Sequence, residues 1–352
     1  MMQTNDIFIS DEGMQQIEKR AFEIVFEQYE SMCKSNELKV QEFIHTLGKE
    51  EFYQSLKFEF NVLYSLLYTQ NLRLFKDFFI WKYSVYFHRG LDCDFFLIAL
   101  EYWQDTFFGN LHNAHASALN SMYEQLKQTH QKILQEAKQM PYVEVDPSCQ
   151  NFVDELSIYL LNGKEKEGYE FVAKTLNNFE DIYEYIDKVI QPIMKRVGLL
   201  WQTAQISVAK EHLATATIGA IVHKFISTNN SQEKKLAVVS TVGDELHIFG
   251  VKLIGDYLQT KGYGVIHLGL DNTPHNICEQ VKSLNPDIVV LSITLSSNIA
   301  PLQKTVTLLK KMLEFKGKII VGGQGLHEPQ KITIENADFQ SNSLQDLKEY
   351  LK

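Results

Sequence analysis

Only four cysteines occur in 352 residues, and Cys33, Cys93, Cys149 and Cys278 lie too far apart to form a zinc knuckle, a redox pair or a disulfide framework. Free thiols in a reducing cytoplasm are the simple reading. No apolar run reaches the roughly 18 residues that a membrane span needs, and Met1 to Ser10 lacks the charged and apolar regions of a signal peptide. A cytoplasmic protein with no membrane attachment is therefore expected. Basic residues are outnumbered by acidic ones, 34 against 44, for a net charge of −10. Nucleic-acid binding draws on Lys and Arg contacts to phosphates, and neither a basic stripe nor a helix-turn-helix pattern is present, so no direct nucleic-acid partner is expected. A dinucleotide fingerprint is missing too. The turn after the first apolar strand reads Val242-Gly243-Asp244-Glu245-Leu246, with no G-x-G-x-x-G to carry a pyrophosphate.

What is present divides into three parts. Residues 1–140 carry apolar residues at helical spacing in Met14 to Met32, Phe52 to Tyr68, Leu72 to Phe87, Phe95 to Phe108 and Ala114 to Ala137, with dense aromatics between Phe52 and Trp103. This predicts a helical bundle serving as a sensor or interaction domain. Haem binding would need a histidine on an apolar helix face, whereas His45, His88, His112, His115 and His130 read as exposed or capping. Pro141 to Pro147 reads as a linker. Residues 148–230 read as a four-helix module, broken near Asn162-Gly163, near Asn177-Asn178 and around Gln202 to Ile206. Residues 234–352 alternate strand and helix. Strands are predicted at Leu236 to Ser240, Gly264 to Leu268, Asp287 to Thr294, Lys318 to Val321 and, last, Ile332 to Ile334 or Ala337 to Phe339. Amphipathic helices are predicted at His247 to Thr260, Thr273 to Leu284, Ala300 to Phe315 and Ser343 to Leu351. The expected fold is thus multidomain, α followed by α/β: an N-terminal helical bundle, a four-helix cap, and a five-stranded parallel, doubly wound, Rossmann-like domain.

The chemistry-bearing residues gather at the predicted strand ends. Glu245-Leu246-His247-Ile248-Phe249-Gly250 follows the first strand, where an open α/β sheet receives its ligands. An imidazole displayed there can coordinate a metal carried by a large cofactor. Glu245, two residues earlier, can take the other ring N–H and fix the tautomer. Gly250 leaves room for close approach. Gly269 follows the second strand, Ser292 and Thr294 close the third, and Gly322-Gly323 follows the fourth. Each has an ordinary alternative, as a turn device or a local backbone partner. Their joint occurrence at successive strand ends favours a bound ligand.

The E-x-H-x-x-G segment resembles the D-x-H-x-x-G motif of cobalamin-binding domains, with Glu where that family more often has Asp. The resemblance implies that His247 is the lower cobalt ligand and the chain's one metal ligand. It also implies that Gly250, Gly269, Ser292, Thr294, Gly322 and Gly323 line the slot for the displaced nucleotide tail. Upstream, Val197-Gly198-Leu199-Leu200-Trp201, nine residues, then Glu211-His212, looks like the cap of the light-dependent cobalamin-binding repressors. That likeness implies an indole, Trp201, over the upper corrin face beside a 5′-deoxyadenosyl group, with Glu211 and His212 around the same cavity, and adenosylcobalamin as the favoured cofactor. One position departs from the pattern. Where those repressors place an upper-ligand histidine directly after the tryptophan, this chain has Gln202, which leaves His212 as a substitute.

Two functions follow from different classes. The first is a cobalamin sensor, an adenosylcobalamin photoreceptor or signalling regulator acting through a regulatory protein partner or a homo-oligomer. The second is a corrinoid carrier in methyl transfer. The indole across the upper face favours the sensor, because a carrier needs that face open. A degenerate fold that has lost its cofactor is disfavoured by the intact His247.

Overall fold

The structure is a computed structural model, and it describes residues 11–69, 73–140, 142–226, 235–327, 331–341 and 343–351. Met1 to Ser10 and Pro141, used in the leader and linker readings, lie outside those residues. The chain divides into two compact units, Met1–Met140 and Pro141–Lys352.

The first unit is helical: α1 (Asp11–Lys19), α2 (Ala21–Cys33), α3 (Leu38–Leu47), α4 (Lys49–Tyr68), α5 (Arg73–Phe87), α6 (Phe95–Asn110) and α7 (Asn113–Ala137). The predicted Met14 to Met32 helix is split at Arg20, whose φ of −106° and ψ of 12° leave the helical region. Arg20 donates instead to the Asn110 carbonyl at 3.0 Å. α3 was not expected, since its ten residues are too few for a clear period. The aromatics form the interior: Phe43 stacks on Phe95 at 3.7 Å between centroids, and Tyr83 on Phe96 at 4.5 Å. Polar groups are buried among them. Lys82 and Glu59 form an ion pair with both side chains withdrawn from solvent. His130 corrects the reading of the histidines as exposed or capping, because it lies on the inner face of α7 and is 2% exposed. Its Nδ1 is 2.9 Å from the Tyr83 hydroxyl and its Nε2 3.3 Å from Asp94, so both ring nitrogens are engaged. A histidine at helical spacing with apolar neighbours looks the same in sequence whether or not such partners await it.

The second unit begins with the predicted four-helix module: α8 (Gln150–Leu161), α9 (Glu165–Thr175), α10 (Ile182–Tyr185) running through a π turn (Ile186–Ile190) into α11 (Gln191–Gln202), and α12 (Val208–Phe225). Side-chain caps start these helices where they should. The Asp181 carboxylate accepts from the Tyr183 and Glu184 N–H groups, and the Ser207 hydroxyl from Lys210 N–H.

There follow β1 (Lys235–Thr241), α13 (Phe249–Thr260), β2 (Tyr263–His267), α14 (Pro274–Leu284), β3 (Ile288–Ser292), α15 (Ile299–Thr307), β4 (Lys318–Gly322), β5 (Phe339–Ser341) and α16 (Leu344–Tyr350). The strands form one parallel five-stranded sheet in the order β2-β1-β3-β4-β5, as the doubly wound pattern predicts. β1 and β3 are nearly uniform runs of buried apolar residues, as expected for strands covered on both faces. Three boundaries near the site or the sheet edge differ from expectation. β3 ends at Ser292, two residues before Thr294. β5 meets the Ala337 to Phe339 candidate only at Phe339 and runs on to Ser341, a three-residue edge strand too short for a period to mark. α13 starts at Phe249, leaving His247 in the loop before it.

One apolar core runs through module and sheet. It joins Val153 and Leu156 of α8 and Ile218 and Ile221 of α12 to Val239, Val290, Tyr257 and Leu347. Polar ties add to it: Lys348 pairs with Asp181 at 2.6 Å, and His223 with Asp256 at 3.1 Å.

Candidate functional site

Register brings the strand ends into one row. Thr241 pairs with Ser292, Ser292 with Gly322, and Gly322 with Ser341. On the other flank the Thr241 hydroxyl donates to the Gly269 carbonyl at 3.1 Å. Gly269, Ser292 and Gly322 therefore share the carboxyl edge of the sheet, and a Cβ on Gly250 would lie 3.8 Å from the Ser292 hydroxyl. Between β1 and β3 the strand order reverses, which is where such sheets open a crevice.

Glu245 bridges that crevice. Its carboxylate is fully buried. Oε1 accepts the His247 backbone N–H at 3.0 Å and makes a very short contact to His247 Nδ1. Oε2 accepts Thr294 N–H at 2.7 Å, Leu295 N–H at 2.9 Å and the Asn298 amide at 3.3 Å. Burial alone would raise the Glu245 pKa, but the hydrogen bond and charge of His247 and the Leu295 and Thr294 amides outweigh it and hold the carboxyl below its ordinary range. The Glu245 hydrogen bond raises the His247 pKa above its ordinary 6.5 against the pull of burial, and the charges of Glu245 and Glu211 add to the rise.

With Nδ1 committed to Glu245, His247 Nε2 is the ring atom left to face a ligand, on a side chain 44% exposed. That donor set fits a metal-bearing cofactor: a neutral imidazole nitrogen, oriented by a buried carboxylate, beside an open edge. Leu246 next to it is 67% exposed, apolar surface a flat ligand would cover.

Asn298 was missed in the sequence. It is buried, reaches Glu245, and fills the space over Gly243, where a Cβ would come 2.3 Å from its Oδ1. Nothing local marks it, since its partner is 53 residues away. Thr294 acts through its backbone N–H on Glu245, and Ser292 is buried at the strand edge. Gly323 has a specific need for glycine. At φ +102° a Cβ would lie 2.1 Å from the Ile293 carbonyl oxygen, so the residue lets the loop after β4 pack on the end of β3.

On the helical module, Trp201 ends α11 half-buried. Glu211 and His212 lie in the first turns of α12 but face differently, their side chains 19% and 68% exposed. Consecutive helical residues point about 100° apart, and here Glu211 is the inward one. Thr215 donates to it at 3.1 Å, and its charge reaches His247. The His212 side chain is exposed, with its Nε2 3.4 Å from the Glu211 carboxylate.

This architecture, a helical module sharing a core with a doubly wound sheet whose first loop presents an oriented histidine, is that of cobalamin-binding proteins. Residues 153–224 and 235–339 each match a family model described as B12 binding domain. Together these segments make up about half of the chain, and over them it belongs to the cobalamin-binding family. It is 25% identical over 181 residues to a dimethylamine corrinoid protein of Methanosarcina barkeri, covering 50% of this chain and 84% of that one. It is also 25% identical over 146 residues to the HTH-type transcriptional repressor CarH of Myxococcus xanthus, covering 42% of this chain and 49% of the repressor. Among solved structures, the Methanosarcina barkeri monomethylamine corrinoid protein superimposes with a TM-score of 0.47 at 18% identity, covering 58% of this chain and 98% of that one.

Proposed function

We propose that this chain holds a cobalamin at the carboxyl edge of its sheet and serves as a corrinoid carrier that presents the cofactor to protein partners. The observation that carries the reading is the Glu245–His247 pair, which fixes the imidazole and leaves Nε2 directed outward. Bound there, the cofactor would supply cobalt–carbon chemistry that no side chain can. The protein's share is orientation and shelter. His247 is the metal ligand, Glu245 and Asn298 position it, Gly250, Gly269, Ser292 and Gly322 form the edge for the nucleotide tail, and Leu246 covers apolar ring surface. The corrinoid protein relatives support the carrier reading.

A second reading, an adenosylcobalamin sensor, is favoured by one observation: the helical module carries Trp201 near its break and turns Glu211 toward His247. The two readings make different demands on the upper face. Protein loaded with hydroxocobalamin should show a histidine-ligated absorption spectrum that His247→Ala abolishes; an unchanged spectrum in that variant would remove the basis of both readings. A carrier should bind methylcobalamin and adenosylcobalamin about alike and give identical small-angle scattering before and after green light. A sensor should prefer the adenosyl form, lose that preference in Trp201→Ala, and change its scattering on photolysis.

A further inference from the structure

Within α2 the doublets Phe22-Glu23, Phe26-Glu27 and Tyr29-Glu30 set an aromatic residue directly before a glutamate three times, at the four- and three-residue spacing that keeps a row on one side of a helix. Two parallel rows result, one aromatic and one acidic, about 100° apart around the axis. The buried side of α2 is made by other residues, Ile24, Val25, Gln28 and Met32, so the core of the unit does not need the aromatic row. Phe22 is 67% and Phe26 44% exposed, and their rings stack on each other at 5.8 Å between centroids and 11° between planes. Among the described residues neither ring stacks on any other aromatic side chain. Tyr29, at the end of the row, is held to the unit by Tyr53 of α4, edge-on at 5.4 Å. In the acidic row Glu30 is paired with Lys34, whereas Glu23 and Glu27 are exposed and have no ion-pair partner among the described residues. Like charges four residues apart weaken a helix, and adjoining exposed phenylalanines form an apolar patch that invites contact. The stability of the unit itself explains neither.

We propose that this face of α2 docks a basic amphipathic helix of a protein partner, its apolar seam laid along Phe22 and Phe26 and a flanking row of Lys or Arg laid along Glu23 and Glu27. A seam with four- and three-residue spacing is the one by which two helices pair, and the sign of the flanking row sets the charge of the partner. A second copy of this chain is disfavoured. A symmetric contact uses the same patch on both subunits, so two copies, each of net charge −10, would bring one glutamate row to the other. Nucleic acid and anionic lipid surfaces are repelled by the same carboxylates. The face is distinct from the cobalamin edge, and the inference does not rest on the function proposed for that edge.

The test uses the full chain and two fluorescently labelled amphipathic peptides of about 20 residues, long enough to form a helix, with leucine at the same four-and-three spacing and either lysine or glutamate at the remaining positions. Binding is followed by anisotropy at several salt concentrations. The lysine peptide should bind saturably, one per chain, and the glutamate peptide should not. Phe22→Ser with Phe26→Ser should weaken binding about tenfold, as loss of aromatic anchors does. Glu23→Gln with Glu27→Gln should weaken it several-fold and flatten its salt dependence. Phe108→Ser, which removes an aromatic ring as exposed as Phe26 but on α6, should leave it unchanged. The proposal is overturned by no saturable binding, by equal binding of the two peptides, by an equal loss in Phe108→Ser, or by parent-like affinity in the double phenylalanine variant, which would mean unspecific attraction to an acidic protein. It is overturned also if sedimentation shows a parent dimer that this variant dissociates, since a second copy would then cover the face, or if the variant lowers the urea midpoint, since the chain itself would.

Discussion

Glu245→Gln is the sharpest probe of the site, because it preserves size while removing a charge and one acceptor. In the parent, Oε1 serves two donors of His247 and Oε2 serves Thr294 N–H, Leu295 N–H and the Asn298 amide. A carboxamide has one oxygen. Turned toward the β3 loop, it presents its NH2 to the His247 backbone N–H, leaving that donor without an acceptor, and the bonds that remain are no longer charge-assisted. Turned the other way, it strands two backbone donors. The first arrangement is the less costly. One stranded donor at about 1–3 kcal/mol, with weaker bonds elsewhere, gives a loss of about 3 kcal/mol. Hydrogen exchange at the β1 and β3 amides reads this unit separately from the first, and should accelerate on the order of a hundredfold. Cobalamin affinity should fall by roughly 10–100-fold, as for other carboxylates that orient a ligating histidine. The pH dependence carries a sign of its own. With its folded pKa depressed, Glu245 contributes stability that is complete above its ordinary 4.5 and lost as pH falls through the lower folded value. With its folded pKa raised, His247 contributes stability that is complete below 6.5 and lost as pH rises through the higher folded value. Protection should therefore be greatest between 4.5 and 6.5, fall off outside that window, and be flatter in the variant. Parent-like exchange together with undiminished cofactor retention would refute the assignment of Glu245 as the residue that holds both His247 and the β3 loop.

Three further outcomes are expected. Gly323→Ala should destabilise the sheet unit by about 3 kcal/mol, since both its φ and the Ile293 carbonyl oppose a side chain; exchange rates of the β3 and β4 amides check it, and wild-type rates would show that the loop relaxes freely. In the first unit, Lys82→Met should cost about 3–5 kcal/mol by leaving Glu59 charged and unpaired, while Lys82→Met with Glu59→Leu should restore or exceed parent stability; urea unfolding distinguishes this from a double variant as unstable as the single one. Ligation of cobalt needs His247 unprotonated, so cobalamin affinity should rise with pH up to the raised His247 pKa and level off above it. Equilibrium titrations across that range test this, and an affinity independent of pH would argue against imidazole ligation.

The balance between carrier and sensor turns on how the helical module is used. In sequence, Trp201 followed by Glu211-His212 gives the sensor the stronger case. In the structure the His212 side chain is exposed while that of Glu211 is largely buried, the two 3.4 Å apart. The apolar core continuous between module and sheet ties the two together, a constraint that either function has to work within.

By itself the sequence determined the parts of this protein that are written in short range. Periodicity and turn residues marked the four-helix module, the first four strands of the sheet and their alternation with helices, because a strand buried on both faces must be apolar throughout and a covering helix apolar on one side. The E-x-H-x-x-G segment was legible because donor, orienting carboxylate and glycine all lie within six residues. Tertiary structure alone decided what depends on distant partners. Asn298 joined the site through contact with a loop 53 residues earlier, Thr294 contributes a backbone N–H that residue type does not reveal, and Gly323 proved to be required by the Ile293 carbonyl. The inward turn of Glu211 and the burial of His130 between Tyr83 and Asp94 were likewise settled by packing. A helical period states that a residue lies on one face; which groups meet it there is fixed only when the helices come together.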